Sequence, residues 1–465
     1  MPCKNCNALL NQTPKMDSLF DQSALIALAE RLIKAARAAG ADTADAVAMR
    51  SVSQSVEVRD GAVEESERAE ANDMGLRVMV GRRQAVVSTN DINGESVTAL
   101  AERAVAMARA APEDRFAGLA DRELLARDFP DLDLVDRDLP GVGALEAAAR
   151  RAEEAGRAVK GVSKSGGASA SAGIGGMVLL TSHGFSGAYL GSRHSIAMQA
   201  IAGEGTSMET DYDFTSALHA ADLDPPEQIG RSAGEKAVAR LNPRKMSTRR
   251  VPVVFDSKVS GSLIGHLVSA INGSAIARKT SFLKDKLGAR LFASGINVID
   301  DPLRQRGLRS RPFDAEGVAG KRMALVADGV LTSWLLDCAT ARELDLATTG
   351  HAQRSASSTP SPGPTNLHLE PGAISPDELI KDIDEGFFIT DLIGSGANMV
   401  TGDYSRGAAG FWIENGEIAF PVSEMTVAGN LNDMFARLIA ANDLEFRTGA
   451  DSPTLRIDDL TVAGS

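Results

Sequence analysis

The sequence predicts an α+β protein in two unlike parts. An N-terminal α/β domain carries an antiparallel sheet with flanking helices, and a C-terminal β-rich, barrel-like domain follows it. Three observations carry this. The order helix, several strands, helix occurs twice between residues 21 and 243, which suggests an internal duplication. A basic polar stretch, Asn242 to Arg250, then separates two apolar regions. Beyond it, short strands alternate with Gly and Pro turns as far as Ile418. The resulting division is residues 1–20 as a disordered leader, 21–243 as the α/β domain and 244–465 as the β-rich domain.

Taken in order, Asp21 or Ser23 is placed to cap a helix with Leu25, Leu28, Leu32 and Ile33 at helical spacing, ending at Gly40. Alternating Val52, Val56 and Val58, a turn at Asp60-Gly61, a strand Gly75 to Val80, a turn at Gly81-Arg82 and a strand Gln84 to Ser88 predict a meander. A helix over Glu95 to Ala111 shows one face to the sheet through Val97, Leu100, Ala101, Ala104 and Met107. A long connection fills Pro112 to Pro140. The second copy reads as helix Val142 to Val159, strands Ser165 to Ala172, Met177 to Ser182 and Ser186 to Gln199, and helix Pro226 to Leu241. The Gly-rich run Ser165 to Met177 reads as a flexible hairpin, because it lacks the Lys-Ser/Thr ending of a phosphate loop. In the second part, strand Val251 to Phe255 precedes an apolar helix, Ser257 to Ile271, and Ser355 to Pro364 has the composition of a flexible loop.

Composition narrows the function classes. Hydrophobic residues make up 43% and charged residues 24%, as in a globular protein, while aromatics at 4% leave the cores to aliphatic and Ala packing. A net charge of −13 repels a phosphate backbone, so nucleic acid is not an expected ligand. No apolar run approaches the ~18 residues a membrane span needs, and no signal-peptide pattern opens the chain. The three cysteines, Cys3, Cys6 and Cys338, exclude a disulfide framework and point to the cytoplasm. Cys3 and Cys6 supply half of a zinc ribbon with no second pair, and Met16 is an alternative start.

The densest polar signal is Ser395 to Leu431, where Gly394, Gly396, Gly402, Gly407 and Gly410 surround Asp403, Tyr404, Ser405 and Arg406. Glycines at this density imply positive φ or close backbone approach. One reading is a bulged corner with an Asp403–Arg406 ion pair; the other is a polar loop offered to a ligand. None of the six histidines begins an HExxH, and Cys338 sits in the apolar WLLDCATAREL, where a buried structural thiol is the ordinary outcome. His266 lies in a helix with Gly261 and Gly265, glycines that imply tight packing, and Arg278 and Lys279 follow as candidate carboxylate or carbonyl binders.

Three stretches together resemble the TldD/PmbA family in its PmbA (TldE) branch: SGSLIGHLVSAINGSAIARKTSFLKDKLG from Ser260, LTSWLLDCATARELDLATTGHA from Leu331 and TGDYSRGAAGFWIENGEIAFPVSEMTVAGNL from Thr401. Gly75-Leu76-Arg77-Val78 with the Gly81 turn extends the likeness to the first part, and it covers nearly all of the chain after Met16. The resemblance implies a cytoplasmic peptide-processing enzyme that works as a TldD–TldE pair, in which TldD carries a zinc-binding HExxxH helix. Here Ile264, Gly265 and Ser269 stand where TldD has His, Glu and His, so no metal ligand or general base carries over. The expected role is a subunit without its own zinc that helps form a substrate cavity, with Asp403, Tyr404, Ser405, Arg406, His266 and Lys279 as substrate-binding candidates. The expected partners are a TldD-like subunit holding the zinc and a peptide substrate, with a homodimer in the partner's absence. A non-catalytic binding or modulator protein and a stand-alone hydrolase are the alternatives.

Overall fold

The computed structural model describes residues 21–90 and 97–464. The Cys3–Cys6 pair, the leader and the expected helix start at Glu95 lie outside the described residues.

The first part is one six-stranded antiparallel sheet, built from β1 (Thr43–Arg59), β2 (Ala62–Val80), β3 (Arg83–Thr89), β4 (Val162–Thr181), β5 (Ser186–Ala202) and β6 (Glu209–Ala217). Its order is β3-β2-β1-β4-β5-β6, so two three-strand units meet where β1 pairs antiparallel with β4. Each unit is flanked by two helices, Ser23–Ala38 and Val97–Ala110 for the first, Val142–Arg157 and Pro226–Ala239 for the second. The helices of the first unit bury Leu25, Leu28, Leu32, Leu100 and Ala104 against Leu76 and Val78 of β2. In the second unit Ala149, Ala152, Ile229 and Ala233 pack on Ala168, Ala170 and Met198. These last two helices touch through small residues: a Cβ at Gly230 would lie 1.8 Å from the Ala152 carbonyl oxygen. Small-residue contact of this kind is how a chain poor in aromatics closes its core.

Several local expectations are corrected here. The run Ser165 to Met177 is no hairpin; it is the interior of β4, paired with β1 on one side and β5 on the other. Its alanines face the helices, so the small residues serve packing. Neither Asp21 nor Ser23 occupies the cap position of the first helix, which is Gln22; Asp21 Oδ1 instead accepts the Ser23 N–H at 2.9 Å. Met107 is 47% exposed, and Val105 and Ala108 complete the buried face instead. β6 is not evident from the sequence, because its inward positions are Asp211, Asp213 and Thr215.

In the second part, β7 (Arg249–Phe255) pairs parallel with Glu385–Ile393, which pairs antiparallel with Asp403–Glu414, and that with Glu417–Asn430. Leu455–Ala463 bonds to both Glu417–Asn430 and β7, closing a five-stranded barrel. Val253, Phe255, Phe387, Ile389, Met425 and Val427 are among its core residues. Helix Ser257–Ala270 joins this core through Leu263, Ile264 and Leu267, with Asp256 accepting the Lys258 N–H at its start. Its Gly261 is tightly opposed, a Cβ there lying 2.7 Å from the Ala450 oxygen, whereas Gly265 faces open space.

The two parts share a buried seam. Arg77 donates to Asp45 at 2.8 Å and Arg354 to the same carboxylate at 2.6 Å, pulling its pKa down against burial. The segment Ser355 to Pro364 is not a free loop: the Ala356 carbonyl lies over Gly75, and Ser361–Pro362 pairs with Ala352–Gln353.

Candidate functional site

The polar stretch of the sequence begins a barrel strand. Asp403–Glu414 alternates as strands do, so Asp403 and Ser405 face outward while Tyr404 is buried and Arg406 half-buried on the other side. The four residues therefore do not form one exposed cluster, and Asp403 makes no ion pair with Arg406. Asp403 accepts from Thr401 Oγ1 at 2.6 Å and Asn430 Nδ2 at 3.1 Å, which hold its carboxyl below the usual range. Asn430 also caps the helix Leu431–Ala436. Sequence reasoning did not connect Thr401 and Asn430 with Asp403, since their link runs across paired strands.

The glycines behave as their density implied. Gly394, Gly396 and Gly402 have φ of +78°, +45° and +83°. A Cβ on Gly396 would lie 2.0 Å from the Ser405 oxygen, and one on Gly410 would lie 2.0 Å from the Phe388 oxygen at a β-bulge. Segment 394–402 thus folds back on the strand, with the Ser405 N–H donating to the Gly396 carbonyl at 2.7 Å.

On the inner side three side chains from distant parts of the sequence come together. His266, on the barrel helix, meets the Tyr404 ring edge-on at a centroid distance of 5.8 Å. Arg406 lies beside both, its Nη2 donating to the Leu392 carbonyl at 3.3 Å. Burial lowers the His266 pKa and the Arg406 charge lowers it further, so the imidazole is neutral near pH 7. Burial pushes the Tyr404 hydroxyl up to about 12, against the pull of Arg406. His266 Nε2, Tyr404 Oη and Arg406 Nε are all enclosed and make no hydrogen bond of ordinary geometry. Tyr404 Oη is still drawn on by Arg406, against burial, so His266 Nε2 has the clearest unmet demand, and a ligand that pairs with the group relieves it. The arrangement suits recognition of a carbonyl or carboxylate; it has no activated nucleophile.

Lys279 does not join this group: it is exposed, at the left-handed end of a short helix (φ +58°), and among the described residues no contact ties its ammonium to the cluster. Cys338 is buried, and burial followed by the negative field of Glu316 and Asp314 pushes its thiol well above the ordinary value. That is the opposite of what a nucleophile requires. Among the described residues no group of three His, Cys, Asp or Glu gathers where it would hold a metal ion.

Residues 44–108, 133–241 and 248–464 match, in turn, domain 1, the central domain and the C-terminal domain of the PmbA/TldA metallopeptidases. Metalloprotease PmbA of Escherichia coli O157:H7 is 37% identical over 425 residues, covering 91% of this chain and 92% of that protein. The chain belongs to the TldD/PmbA family. Within that family it falls in the PmbA (TldE) branch: a Haemophilus influenzae metalloprotease PmbA homolog is 35% identical over 416 residues, covering 88% of this chain and 90% of its own length. A Bacteroides thetaiotaomicron structure described as a putative modulator of DNA gyrase superposes with a TM-score of 0.87 at 27% identity, over 94% of this chain and 98% of that one. TldE from Thermococcus kodakarensis shares the fold with a TM-score of 0.84 at 20% identity, over 94% of this chain and all of that one.

The helix positions that the resemblance aligns with the TldD zinc motif do not fit a metal. Ile264 is fully buried in the barrel core, Gly265 offers no side chain, and the Ser269 hydroxyl donates to the Gly265 carbonyl at 2.9 Å. Zinc takes imidazole, thiolate or carboxylate donors, and none stands at these three positions.

Proposed function

We propose that this chain is the subunit without its own zinc in a cytoplasmic TldD/TldE-type peptidase, and that His266, Tyr404 and Arg406 receive polar groups of the peptide substrate. The bond-breaking centre is assigned to a TldD-like partner. Family membership supports the peptidase setting. The observation that carries the role of this chain is the enclosed group of His266, Tyr404 and Arg406, short of well-formed hydrogen bonds, beside a helix that holds Ile264, Gly265 and Ser269 at the positions aligned with the TldD zinc motif. Arg406 supplies a charge-assisted donor for a carboxylate or carbonyl, and Tyr404 and neutral His266 supply directional hydrogen bonds. Fixing the peptide and excluding water there lowers the entropic part of the barrier for chemistry elsewhere in the pair. Asp403, held by Thr401 and Asn430, fixes the strand that presents Tyr404 and Arg406; Ser405 and Lys279 are left to outer contacts with the peptide or partner.

The test is a peptidase assay on an unfolded peptide with this chain alone, the TldD-like partner alone, and both mixed. Activity confined to the mixture supports the proposal. Full activity from the partner alone would favour a modulator, and zinc-dependent activity from this chain alone would favour a stand-alone hydrolase.

A further inference from the structure

A cavity of about 440 Å³ opens between β5 and the loop at residues 307–311, with Gln353 also in its lining. Its lining includes the guanidinium-bearing Arg193, Arg309 and Arg311 and no acidic side chain. Strand alternation brings Arg193 to this side, since its neighbours Ser192 and His194 are buried. Among the described residues none of the three forms an ion pair with a carboxylate, although the chain as a whole has a net charge of −13. Arg311 is the most exceptional: its Nε and Nη2 are sealed from solvent without a hydrogen-bond partner. Asp314, whose field reaches Arg311, already accepts from the backbone N–H groups of Glu316 (2.8 Å), Val318 (2.9 Å) and Ala352 (3.0 Å).

Three like charges around one cavity repel one another, and a partly enclosed guanidinium that no carboxylate touches carries a desolvation cost that the more distant Asp314 offsets only in part. Both costs fall when an oxyanion enters, because a carboxylate or phosphate matches the guanidinium fork. The cavity volume lies in the range of small-molecule sites, roughly 300–1,000 Å³. Tyr189, Leu134 and Leu308 give the same cavity an apolar part.

We propose that this cavity binds a small organic oxyanion, a molecule of few heavy atoms with a carboxylate or phosphate seated on Arg311 and steadied by Arg193 and Arg309. The site is separate from the peptide-recognition cluster and does not depend on the peptidase reading, because binding is measured on this chain without a partner.

The experiment is calorimetric titration of the full chain with inorganic phosphate, citrate and the dipeptide Gly-Glu, at low and at raised salt. Saturable one-to-one binding of at least one probe, weakened by salt, is the expected result, and the order of the three tells phosphate from carboxylate. Arg311→Gln is expected to weaken that binding about tenfold or more, the effect of losing one charge-assisted hydrogen-bond pair. The exposed Arg193→Gln and Arg309→Gln are expected to weaken it less and to leave the fold intact, which keeps the test valid if Arg311→Gln does not fold. Absence of binding by all three probes, or binding equal in wild type and every variant, would overturn the proposal.

Discussion

Two enclosed polar regions of this molecule have opposite hydrogen-bond accounting. At the junction of β6 with its neighbours, Asp213 accepts from Ser232, from Lys236 at 3.0 Å and from Arg447 at 2.8 Å, and Asp211 is paired with Lys258 and Arg240. At the barrel helix, His266, Tyr404 and Arg406 each keep an enclosed atom without a well-formed hydrogen bond, and Tyr404 and Arg406 draw on each other. Burial alone does not separate a stabilising network from a recognition site; the state of the donors and acceptors does. The first region should matter to stability and the second to substrate.

The largest effect that would break this contrast concerns Asp213. Asp213→Ala leaves Lys236 and Arg447 without their carboxylate and, because both cations keep part of their solvation, is expected to cost about 3 kcal/mol, read as a lower urea midpoint. The partners depress the Asp213 pKa to about 2 from its ordinary 3.8. Its stabilisation is therefore complete above pH 3.8 and lost as pH falls toward 2, a loss that Asp213→Asn should abolish.

Glu316 at the seam of sheet and barrel is an intermediate case. It is buried, accepts the Cys338 N–H at 2.8 Å, and is pushed up to about 7 by burial and then by Asp314. A raised carboxyl pKa means the folded state holds the proton longer, so stability falls as pH rises from 4.5 to about 7. Asp314 beside it is raised in the same direction, so Glu316→Gln should make the fall shallower; an unchanged slope in urea unfolding across that window would contradict the assignment.

Smaller effects sharpen the other side. Tyr404→Phe removes a hydroxyl whose bond to Arg406 is poorly formed and should change stability by about 1 kcal/mol or less, in contrast to Asp213→Ala. Gly265→Ala adds a Cβ that meets nothing within 4 Å and should stabilise by about 1 kcal/mol through helix propensity. A loss of stability in that variant would show that the outer helix face is filled.

Much of the fold was legible because apolar spacing and turn chemistry agree, as in helix Ser23–Ala38 and the β1–β2–β3 meander. β6 was not, because Asp211 and Asp213 occupy inward positions and are made tolerable only by cations from remote segments. The glycines of 394–410 announced close approach and a bulge, and both are present. The site was half legible. The sequence drew attention to Tyr404, Arg406 and His266, yet it could not say that strand alternation turns Asp403 and Ser405 away from them. It also gave no sign of the arginine cavity, since Arg193 and Arg311 are brought together only by tertiary packing.

The central claim is that the His266, Tyr404 and Arg406 group serves substrate recognition, and it is most directly tested with Arg406→Ala in the reconstituted pair, measuring assembly by sedimentation and peptide cleavage in the same samples. The predicted result is unchanged assembly with cleavage reduced about tenfold or more, the loss of one charge-assisted contact to the substrate. Unchanged cleavage, or loss of assembly in proportion to activity, would contradict it.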